Sequence, residues 1–364
     1  MQDDKRMQEE QANRIAQQGL LTSTPWVSFC MSTFRRADLL RKALLSIRQQ
    51  HFLDFEVIVS DNDPDGSAEP IVKELQDSRF KYFNNGDNLG MIRSFNKCIE
   101  RSCGKFIVFV TDDDPIYPKM LQTLYDLSLQ YPDYGMYFGG HNTYFETLVE
   151  ARMAKVRIGM VSGLADADIG AITTFSAEEF PLKFLQTDLS TQLNLSEGIV
   201  KREIALEVGG LADYGTPPMA DCSYVLLSGS RAGCVYINKA LGHRTIHKEN
   251  YSHSKVNYDS IYKAPEGFYQ WTMDRLPSER KDAQLNKAMQ HYVGRDLTVQ
   301  VIFIKKVLDY NQQKSPAFEE FVGRFFKIPL LRKWKRKYYI STHFPRSFEF
   351  FLAVRKLLSP QPKK

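Results

Sequence analysis

The stretch "VSFCMSTFRRADLLRKALLSIRQQHFLDFEVIVSD", residues 27–61, decides the fold of this chain. An apolar run from Trp26 to Phe34 is typical of a buried strand, and a second, β-branched run ends at Asp61. Between the two runs, apolar residues recur at helical spacing: Leu39, Leu40, Ala43, Leu44 and Ile47. A strand, a helix and a strand in this order predict a βαβ unit, and therefore a parallel pair of strands.

The same alternation continues on the C-terminal side. "FKYFNN" (80–85) and "KFIVFVTDDD" (105–114) predict two more strands, and the segments 88–102 and 118–132 predict helices. We therefore expect an α/β fold, a mostly parallel sheet covered by helices on both faces. Farther on, the patterns predict strands and loops over 135–190, and then the following elements: a strand, a short helix, a helix from about Asp221, a strand at Cys234–Asn238, and helices from about Tyr258.

Polar residues stand at the ends of three of these strands. The triplets are Thr33-Phe34-Arg35, Asp61-Asn62-Asp63 and Asp112-Asp113-Asp114. The carboxyl ends of neighbouring parallel strands meet at one edge of the sheet, where ligands of open α/β sheets bind. One such end alone is equally typical of a solvated loop, whereas three together, two of them acidic, favour a functional site.

The acidic triplet indicates a divalent cation. Mg²⁺ and Mn²⁺ prefer oxygen ligands and typically use one or two carboxylates together with substrate phosphates. The chain has no GxxxxGK[ST] loop, which argues against a P-loop NTPase, and no GxGxxG after its first strand, which argues against a dinucleotide-binding oxidoreductase. A metal holding a nucleoside diphosphate is then the favoured interpretation of the triplet, and an Asp-rich turn is the alternative.

With these residues, the chain resembles the family 2 glycosyltransferases of the GT-A fold, the type that builds surface polysaccharides. The resemblance covers about residues 25–120, and more loosely 196–253. It implies a Rossmann-like mixed sheet flanked by helices. Ser32 and Arg35 stand where the family often has Pro and Asn, and Thr111 stands where a strict DxD motif has its first acid.

The resemblance also implies roles for individual residues. It implies donor contacts for the following residues: Thr33, Phe34, Arg35, Asp61, Asn88, Gly90, Asn96 and Asp112. It implies that Mg²⁺ or Mn²⁺ binds at Asp113, with Asp114 and His247 as further ligands. Asp113 is the preferred ligand because it lies five residues before Pro118. The alternative, Asp112-x-Asp114, matches the DxD pattern equally well. The donor is a nucleotide-sugar, and a UDP-sugar is favoured.

An inverting sugar transfer needs a general base for the acceptor hydroxyl. In the family this is a carboxylate at the start of a helix beyond a Gly-rich loop, and "GGLADYGTPPMADCSYVLL" has that form with Asp221 at the matching place. From the sequence alone, an ordinary N-cap is the alternative for Asp221. Asp213 is the reserve candidate for the base. Glu197 is a further candidate for contact with the acceptor, against the plainer interpretation of a surface carboxylate.

The segment "GHRTIHKENYSHS" contains Arg244 and His247, an R-x-x-H element similar to one found late in many relatives. There it brings a histidine near the metal or the diphosphate, so the resemblance implies a site role for His247. For His243 and His253 a structural or surface role is preferred. The HxxxH spacing of His243 and His247 would also suit zinc on a helix, but no HExxH motif accompanies it.

The charge is concentrated in the C-terminal tail. The whole chain of 364 residues carries a net charge of +5, whereas residues 324–364 hold 12 Lys and Arg and one acid, Glu349. Aromatic residues interleave with these cations, which favours contact with an anionic membrane. Nucleic-acid binding is the rival and lacks any supporting motif, so no nucleic acid is expected; a solvated basic surface is the plain alternative.

We expect a polar lead-in (1–24), a glycosyltransferase domain (25–255) and a helical C-terminal region (256–364) with a basic amphipathic tail from about 320. The first residues lack the apolar core of a signal peptide, and five cysteines without a CxxC pair suit reduced thiols. The predicted location is therefore the cytoplasmic face of the inner membrane, bound peripherally, with a glycan or polyprenyl-diphosphate-linked acceptor. The alternatives are a sugar nucleotidyltransferase, or a relative that binds nucleotide or glycan without turnover.

Overall fold

The computed structural model describes residues 24–154, 156–164, 168–247 and 258–344. The predicted lead-in up to residue 23, the domain boundary near 255, His253 and the last part of the basic tail lie outside the described residues.

The first half folds as the sequence predicts. Four strands alternate with four helices in this order: β1 (Val27–Thr33), α1 (Ala37–Arg48), β2 (Phe55–Asp61), α2 (Glu69–Glu74), β3 (Phe80–Asn84), α3 (Met91–Arg101), β4 (Phe106–Phe109) and α4 (Met120–Gln130). Strand β4 is shorter than the predicted 105–114, because the backbone leaves the β1 ladder soon after Phe109 and turns through the acidic triplet.

The second half adds longer strands and more helices than the sequence predicts. Its elements are β5 (Met136–Phe145), α5 (Leu148–Met153), β6 (Gly159–Ser162), β7 (Ile172–Phe175), α6 (Phe180–Gln186), α7 (Leu189–Gln192), β8 (Gly198–Lys201), α8 (Arg202–Glu207), α9 (Ala220–Ala232) and β9 (Cys234–Ile246). Strand β9 continues well beyond the predicted end at Asn238. His243 therefore lies on a strand and not on a helix, and zinc ligation from one helix face is excluded.

The nine strands form one mixed sheet in the order β3-β2-β1-β4-β8-β5-β9-β7, with β6 paired to β5. Strands β3, β2, β1 and β4 are parallel, and β8 runs antiparallel to both β4 and β5. The chain leaves β1 on one side to build β2 and β3 and returns on the other side to build β4. The strand order therefore switches between β1 and β4, which is where a ligand cleft forms in such sheets.

Helices cover both faces of the sheet, as predicted. Along β1, Phe29 and Met31 belong to one apolar cluster, together with Leu44 of α1, and Cys30 belongs to the cluster on the opposite face. All four side chains are fully buried. Burial on both faces explains why β1 and β2 are mostly apolar instead of strictly alternating, and the α/β prediction is confirmed.

The C-terminal region is helical, as predicted: α10 (Tyr258–Arg275), α11 (Ala283–Tyr310), α12 (Pro316–Phe325) and α13 (Lys335–His343). Phe321, Phe325 and Tyr338 of the basic tail are buried in the larger apolar cluster, whereas Tyr339 and Phe344 are more than half exposed. Within the described residues, no helix is both long enough and apolar enough to cross a bilayer.

Candidate active site

The polar ends of β1 and β4 meet, as the strand order predicts. The hydroxyl of Thr33, the last residue of β1, donates a hydrogen bond to Oδ2 of Asp112 at 3.2 Å. Both side chains are almost completely buried. Burial and the neighbouring charge of Asp113 raise the pKa of Asp112 to about 6, against the opposing effect of a nearby guanidinium. The first acid of the triplet is therefore mostly buried, and its carboxylate is held by contacts with Thr33 and a guanidinium.

The guanidinium beside Asp112 belongs to Arg36, a residue that the sequence analysis did not single out. It lies at the N-cap position of α1. Its Nη1 lies 3.1 Å from Oδ1 of Asp112 and 3.4 Å from Oδ2 of Asp113, so one nitrogen contacts both carboxylates. Arg35, the predicted donor residue, points elsewhere and contacts Asp63 at 3.1 Å. The sequence does not indicate which of the two neighbouring arginines contacts the acidic triplet. The backbone conformation before α1 directs their side chains to different partners.

Asp113 is also close to the predicted histidine. Nε2 of His247 lies 3.3 Å from Oδ2 of Asp113, and both side chains are mostly buried. His247 follows directly after β9. A short ladder of backbone hydrogen bonds between the acidic turn and β9 brings His247 close to Asp113. The amide of Tyr117 donates to the carbonyl of Leu241, and the amide of His243 donates to that of Pro115. The acidic turn is thus fastened to the end of β9.

The third acid, Asp114, is directed away from the cleft surface. Its Oδ1 accepts a hydrogen bond from the backbone N–H of Thr245 at 2.8 Å. Burial, with the charge of Asp113 second, raises its pKa to about 7, while the Thr245 amide and Arg244 oppose this rise. This contact makes Asp114 a link between the acidic turn and β9.

Glu197 is not the surface carboxylate that the sequence favoured. It lies in a short turn before β8 and is fully buried. Among the described residues, neither carboxyl oxygen has a hydrogen-bond partner, and a Cβ placed on Gly242 would lie 2.4 Å from Oε1. Burial, followed by the charge of Asp114, raises its pKa well above the usual value. Full burial also removes the proposed contact between Glu197 and an acceptor.

Asp61 and Phe34 lie beside the same edge, in contrasting settings. Asp61 is fully buried, and its carboxylate accepts hydrogen bonds from the N–H of Asp63 (2.9 Å), the N–H of Ala68 (3.1 Å) and the hydroxyl of Tyr82 (3.1 Å). Its present hydrogen bonds therefore order the loop after β2. Phe34 is 39% exposed, and the guanidinium of Arg35 lies over its ring at 5.3 Å from the centroid.

The residues predicted over the nucleotide have structural contacts of their own. Gly90 has φ of 79° at the N-cap of α3, and its N–H donates to Oδ1 of Asn88 at 3.0 Å. Asn96 binds both the N–H and the carbonyl of Leu211, each at 2.9 Å. A Cβ on Gly210 would lie 2.4 Å from Oδ1 of Asn96. Asn96 therefore docks the loop that leads to the predicted base.

That loop ends at α9, where Asp221 lies in the first turn. The N-cap is Met219 in the left-handed region, with φ of 68°, so Asp221 is not the helix cap. Asp221 is exposed, and its Oδ1 accepts a hydrogen bond from the N–H of Cys222 at 2.8 Å. The reserve candidate, Asp213, is ion-paired with Arg93 at 2.8 Å. Of the two candidates, Asp213 is thus the one whose carboxylate is held in an ion pair with an arginine.

A cleft of about 360 Å³ opens over the acidic turn. Its lining includes Asp112, Asp113 and His247 together with residues to which the sequence analysis gave no role in a site: Leu39, Lys42, Tyr144 and Glu146. Lys42 and Leu39 come from α1, whereas Tyr144 and Glu146 come from the end of β5 and the residue after it. The sequence around Tyr144 and Glu146 carries no motif, and the long ladder between β5 and β9 brings these two residues to the cleft.

The comparisons with known proteins agree with this arrangement. Residues 28–176 match the model of the glycosyl transferase family 2. This segment is a family 2 glycosyltransferase domain. The match includes both strand ends that form the cleft floor, and it confirms the predicted family for this segment.

Curated relatives match the same part of the chain. The GalNAc(5)-diNAcBac-PP-undecaprenol β-1,3-glucosyltransferase of Campylobacter jejuni is 38% identical over 103 residues, 28% of this chain and 33% of that protein. The UDP-Glc:α-D-GlcNAc-diphosphoundecaprenol β-1,3-glucosyltransferase WfgD of Escherichia coli is 27% identical over 88 residues, 24% of this chain and 35% of that protein. The chain thus covers about a third of the length of these relatives.

Among solved structures, S. aureus TarS 1–349 in complex with UDP-GlcNAc superposes with a TM-score of 0.55 at 15% identity. The superposition covers 87% of this chain and 88% of that one. This likeness concerns the fold alone and confirms the predicted GT-A architecture with its helical C-terminal region.

The residues of the cleft suit a divalent cation that also has other ligands. Within the described ranges, no three His, Cys, Asp or Glu side chains are grouped closely enough to hold a metal by themselves. Asp113 is the acid that reaches the cleft together with Asp112, and His247 lies beside it. Oxygen ligands from one or two carboxylates, completed by phosphate oxygens, are typical of Mg²⁺ sites.

Proposed function

We propose that this chain is a metal-dependent, inverting glycosyltransferase that moves a sugar from a nucleotide-sugar to a glycan acceptor. The observation that carries the proposal is the acidic turn, Asp112 and Asp113, open to a cleft at the switch point of a family 2 domain. This is the place where a phosphorylated donor binds in an open α/β sheet.

For the donor, we propose that Asp113, with Asp112, holds Mg²⁺ or Mn²⁺. Such a cation would act as a Lewis acid that neutralises the charge developing on the departing diphosphate. Asp112 is fixed by burial and by Thr33, so its carboxylate needs little reorganisation when a cation approaches. Nε2 of His247 lies 3.3 Å from Oδ2 of Asp113, the same oxygen that Arg36 contacts, and would either orient this carboxylate or bind the cation itself.

The nucleoside is proposed to lie over the end of β1. Phe34 is exposed there and can stack on a base, and Thr33 and Asp61 lie at the ends of adjacent strands in register with each other. UDP is the proposed nucleotide because the name of WfgD specifies UDP-Glc, and because TarS shares the fold and was solved with UDP-GlcNAc. The identity of the sugar depends on the cleft wall, which includes Tyr144 and Glu146.

We propose Asp221 as the base that takes the proton of the acceptor hydroxyl while that oxygen attacks the anomeric carbon. The glycosidic oxygen bond forms as the bond from the anomeric carbon to the diphosphate breaks, and the leaving group departs with the electron pair. Asp221 suits this role because it is exposed in the first turn of α9 and is not engaged as a helix cap. A positioned base typically contributes about 10²–10⁴ in rate.

For the acceptor, we propose a polyprenyl-diphosphate-linked glycan at the cytoplasmic face of the membrane. Two relatives have undecaprenol-diphosphate substrates in their names. The basic tail would then hold the protein peripherally on anionic lipid. In the described part of the tail, Phe321, Phe325 and Tyr338 pack inward, so the contact would come from exposed cations and from Tyr339 and Phe344 rather than from these buried rings.

The test is a transfer assay on the full chain. Purified protein, Mn²⁺, a panel of nucleotide-sugars and a synthetic undecaprenyl-diphosphate-linked acceptor are combined, and both free nucleoside diphosphate and the mass of the lipid product are measured. We expect one donor to be consumed with a matching gain in lipid mass. Asp113→Asn should abolish both signals, whereas Asp126→Asn, an exposed acid on α4, should leave them unchanged. Nucleotide release that is unaffected by Asp113→Asn would contradict the proposal.

A further inference from the structure

Arg36 occupies the position at which the proposed cation would be needed. Its Nη1 contacts Asp112 at 3.1 Å and Asp113 at 3.4 Å, and its side chain is 30% exposed. The two acids themselves are only 7% and 12% exposed. In the metal-free chain a guanidinium thus compensates the repulsion between neighbouring buried carboxylates.

This pairing and a divalent cation compete for the same oxygens. A cation bound to Asp113 would lie close to the positive guanidinium, and the repulsion between the two charges is strong where solvent is partly excluded. Arg36 therefore has to give up part of its contact with the acids when the metal binds. Its side chain extends from the N-cap position, the residue directly before α1, so a change in its contacts involves a residue outside the helix.

A guanidinium released at this place has an evident new partner. Its planar set of donors matches the oxygens of a phosphate or diphosphate, and such pairs are commonly bidentate. The diphosphate of the donor would arrive together with the metal. Its negative charge would replace that of the two carboxylates as the partner of Arg36. One residue then serves both states, as a counter-ion for the acids in the empty cleft and as a ligand of the diphosphate in the loaded one.

We propose that Arg36 is such an exchanging clamp: it pairs with Asp112 and Asp113 until metal and nucleoside diphosphate bind, and then holds the diphosphate. This inference rests on the proposed function of the site. It predicts that loss of Arg36 changes two affinities in opposite directions, because the residue opposes the metal alone but supports the metal together with the nucleotide. A purely structural ion pair would weaken both or alter neither.

The experiment measures two affinities by isothermal titration calorimetry on the full chain: Mn²⁺ alone, and UDP in the presence of saturating Mn²⁺. We expect Arg36→Gln to bind Mn²⁺ alone about tenfold more tightly, since a nearby positive charge is removed. It should bind UDP with Mn²⁺ about 10- to 100-fold more weakly, because charge-assisted hydrogen bonds are lost. Arg36→Lys keeps the charge without the fork and should lie between these values.

The matched control is Arg41→Gln, which removes an arginine from the same helix. Arg41 pairs with Glu74 on the outer surface, so neither affinity should change. Parallel losses in both titrations, or no change in either, would overturn the role of Arg36. A wild-type chain that binds no UDP in the presence of Mn²⁺ would instead contradict the proposed function, so the two failures are distinguishable.

Discussion

Replacing Asp112 by Asn should make the metal-free protein more stable at neutral pH, although it removes an acid of the proposed site. In the folded chain, burial and the charge of Asp113 raise the pKa of Asp112 to about 6, compared with 3.8 for an unperturbed aspartate. The folded state therefore binds a proton more tightly than the unfolded state does. The contribution of Asp112 to the stability of the wild type therefore falls as pH rises from about 4 to about 6, because the buried carboxyl must ionise.

A difference of about two pKa units corresponds to about 3 kcal/mol of unfolding free energy. Asn has nearly the same shape and cannot ionise, so the variant escapes this loss. The unfolding free energy of Asp112→Asn minus that of the wild type should increase by about 3 kcal/mol between about pH 4 and pH 7. At the lower pH the difference should be near zero or slightly negative, since Asn accepts the hydrogen bond from Thr33 less favourably.

The assay is equilibrium unfolding in urea, in EDTA, at both pH values, with Asp126→Asn as the exposed control. Added Mn²⁺ should then stabilise the wild type more than Asp112→Asn, because the variant lacks one of the two carboxylates that are proposed to hold the cation. A variant that is destabilised by the same amount at both pH values would refute the reasoning. That result would mean that ionisation of Asp112 carries no folding penalty.

The remaining predictions concern Glu197, Asn96 and Asp221. Glu197→Gln should raise the unfolding free energy at pH values above the ordinary pKa of a glutamate, because the amide cannot ionise in its buried place. Glu197→Ala should instead lower it by about 2–3 kcal/mol through the cavity it leaves, and equal losses in urea titrations of both variants would contradict this. Asn96→Ala should lower the unfolding free energy by about 1–3 kcal/mol and speed hydrogen exchange at the amide of Leu211, because this amide loses its acceptor. Unchanged protection of this amide against exchange would disprove the docking role of Asn96. Asp221→Asn should reduce the rate of sugar transfer at least about 100-fold in steady-state kinetics, with an unchanged affinity for UDP in calorimetry. A near-normal transfer rate would mean that another residue is the base.

The sequence predicts the first half of the fold closely because its strands are buried on both faces. Mostly apolar runs such as 27–33 and 55–61 indicate buried strands, and the helix between them has clear apolar periodicity. The region 135–195 is harder to interpret, because β5 and β9 form a long ladder with register shifts near Gly139 and Gly140. Such irregular pairing leaves no simple period in either strand.

The candidate site shows a similar division. The convergence of Thr33 with Asp112 follows from strand order, so it could be predicted from sequence alone. The choice between Arg35 and Arg36 depends on a single left-handed residue, Arg35 with φ of 54°, which turns the two side chains to different partners. The burial of Glu197 depends on Gly242, more than forty residues later, and no local pattern encodes this contact.

The central claim is that the acidic turn binds a nucleotide-sugar through a divalent cation. It is tested most directly by thermal unfolding of the wild type and Asp113→Asn with a panel of nucleotide-sugars, each with and without Mn²⁺. Ligands that bind only the folded state stabilise it by mass action, by about 2.7 kcal/mol at a hundredfold excess over Kd. We predict that one donor raises the melting temperature of the wild type only when Mn²⁺ is present, and that Asp113→Asn shows no such rise. Stabilisation that is independent of Mn²⁺, or that persists in Asp113→Asn, would contradict the account.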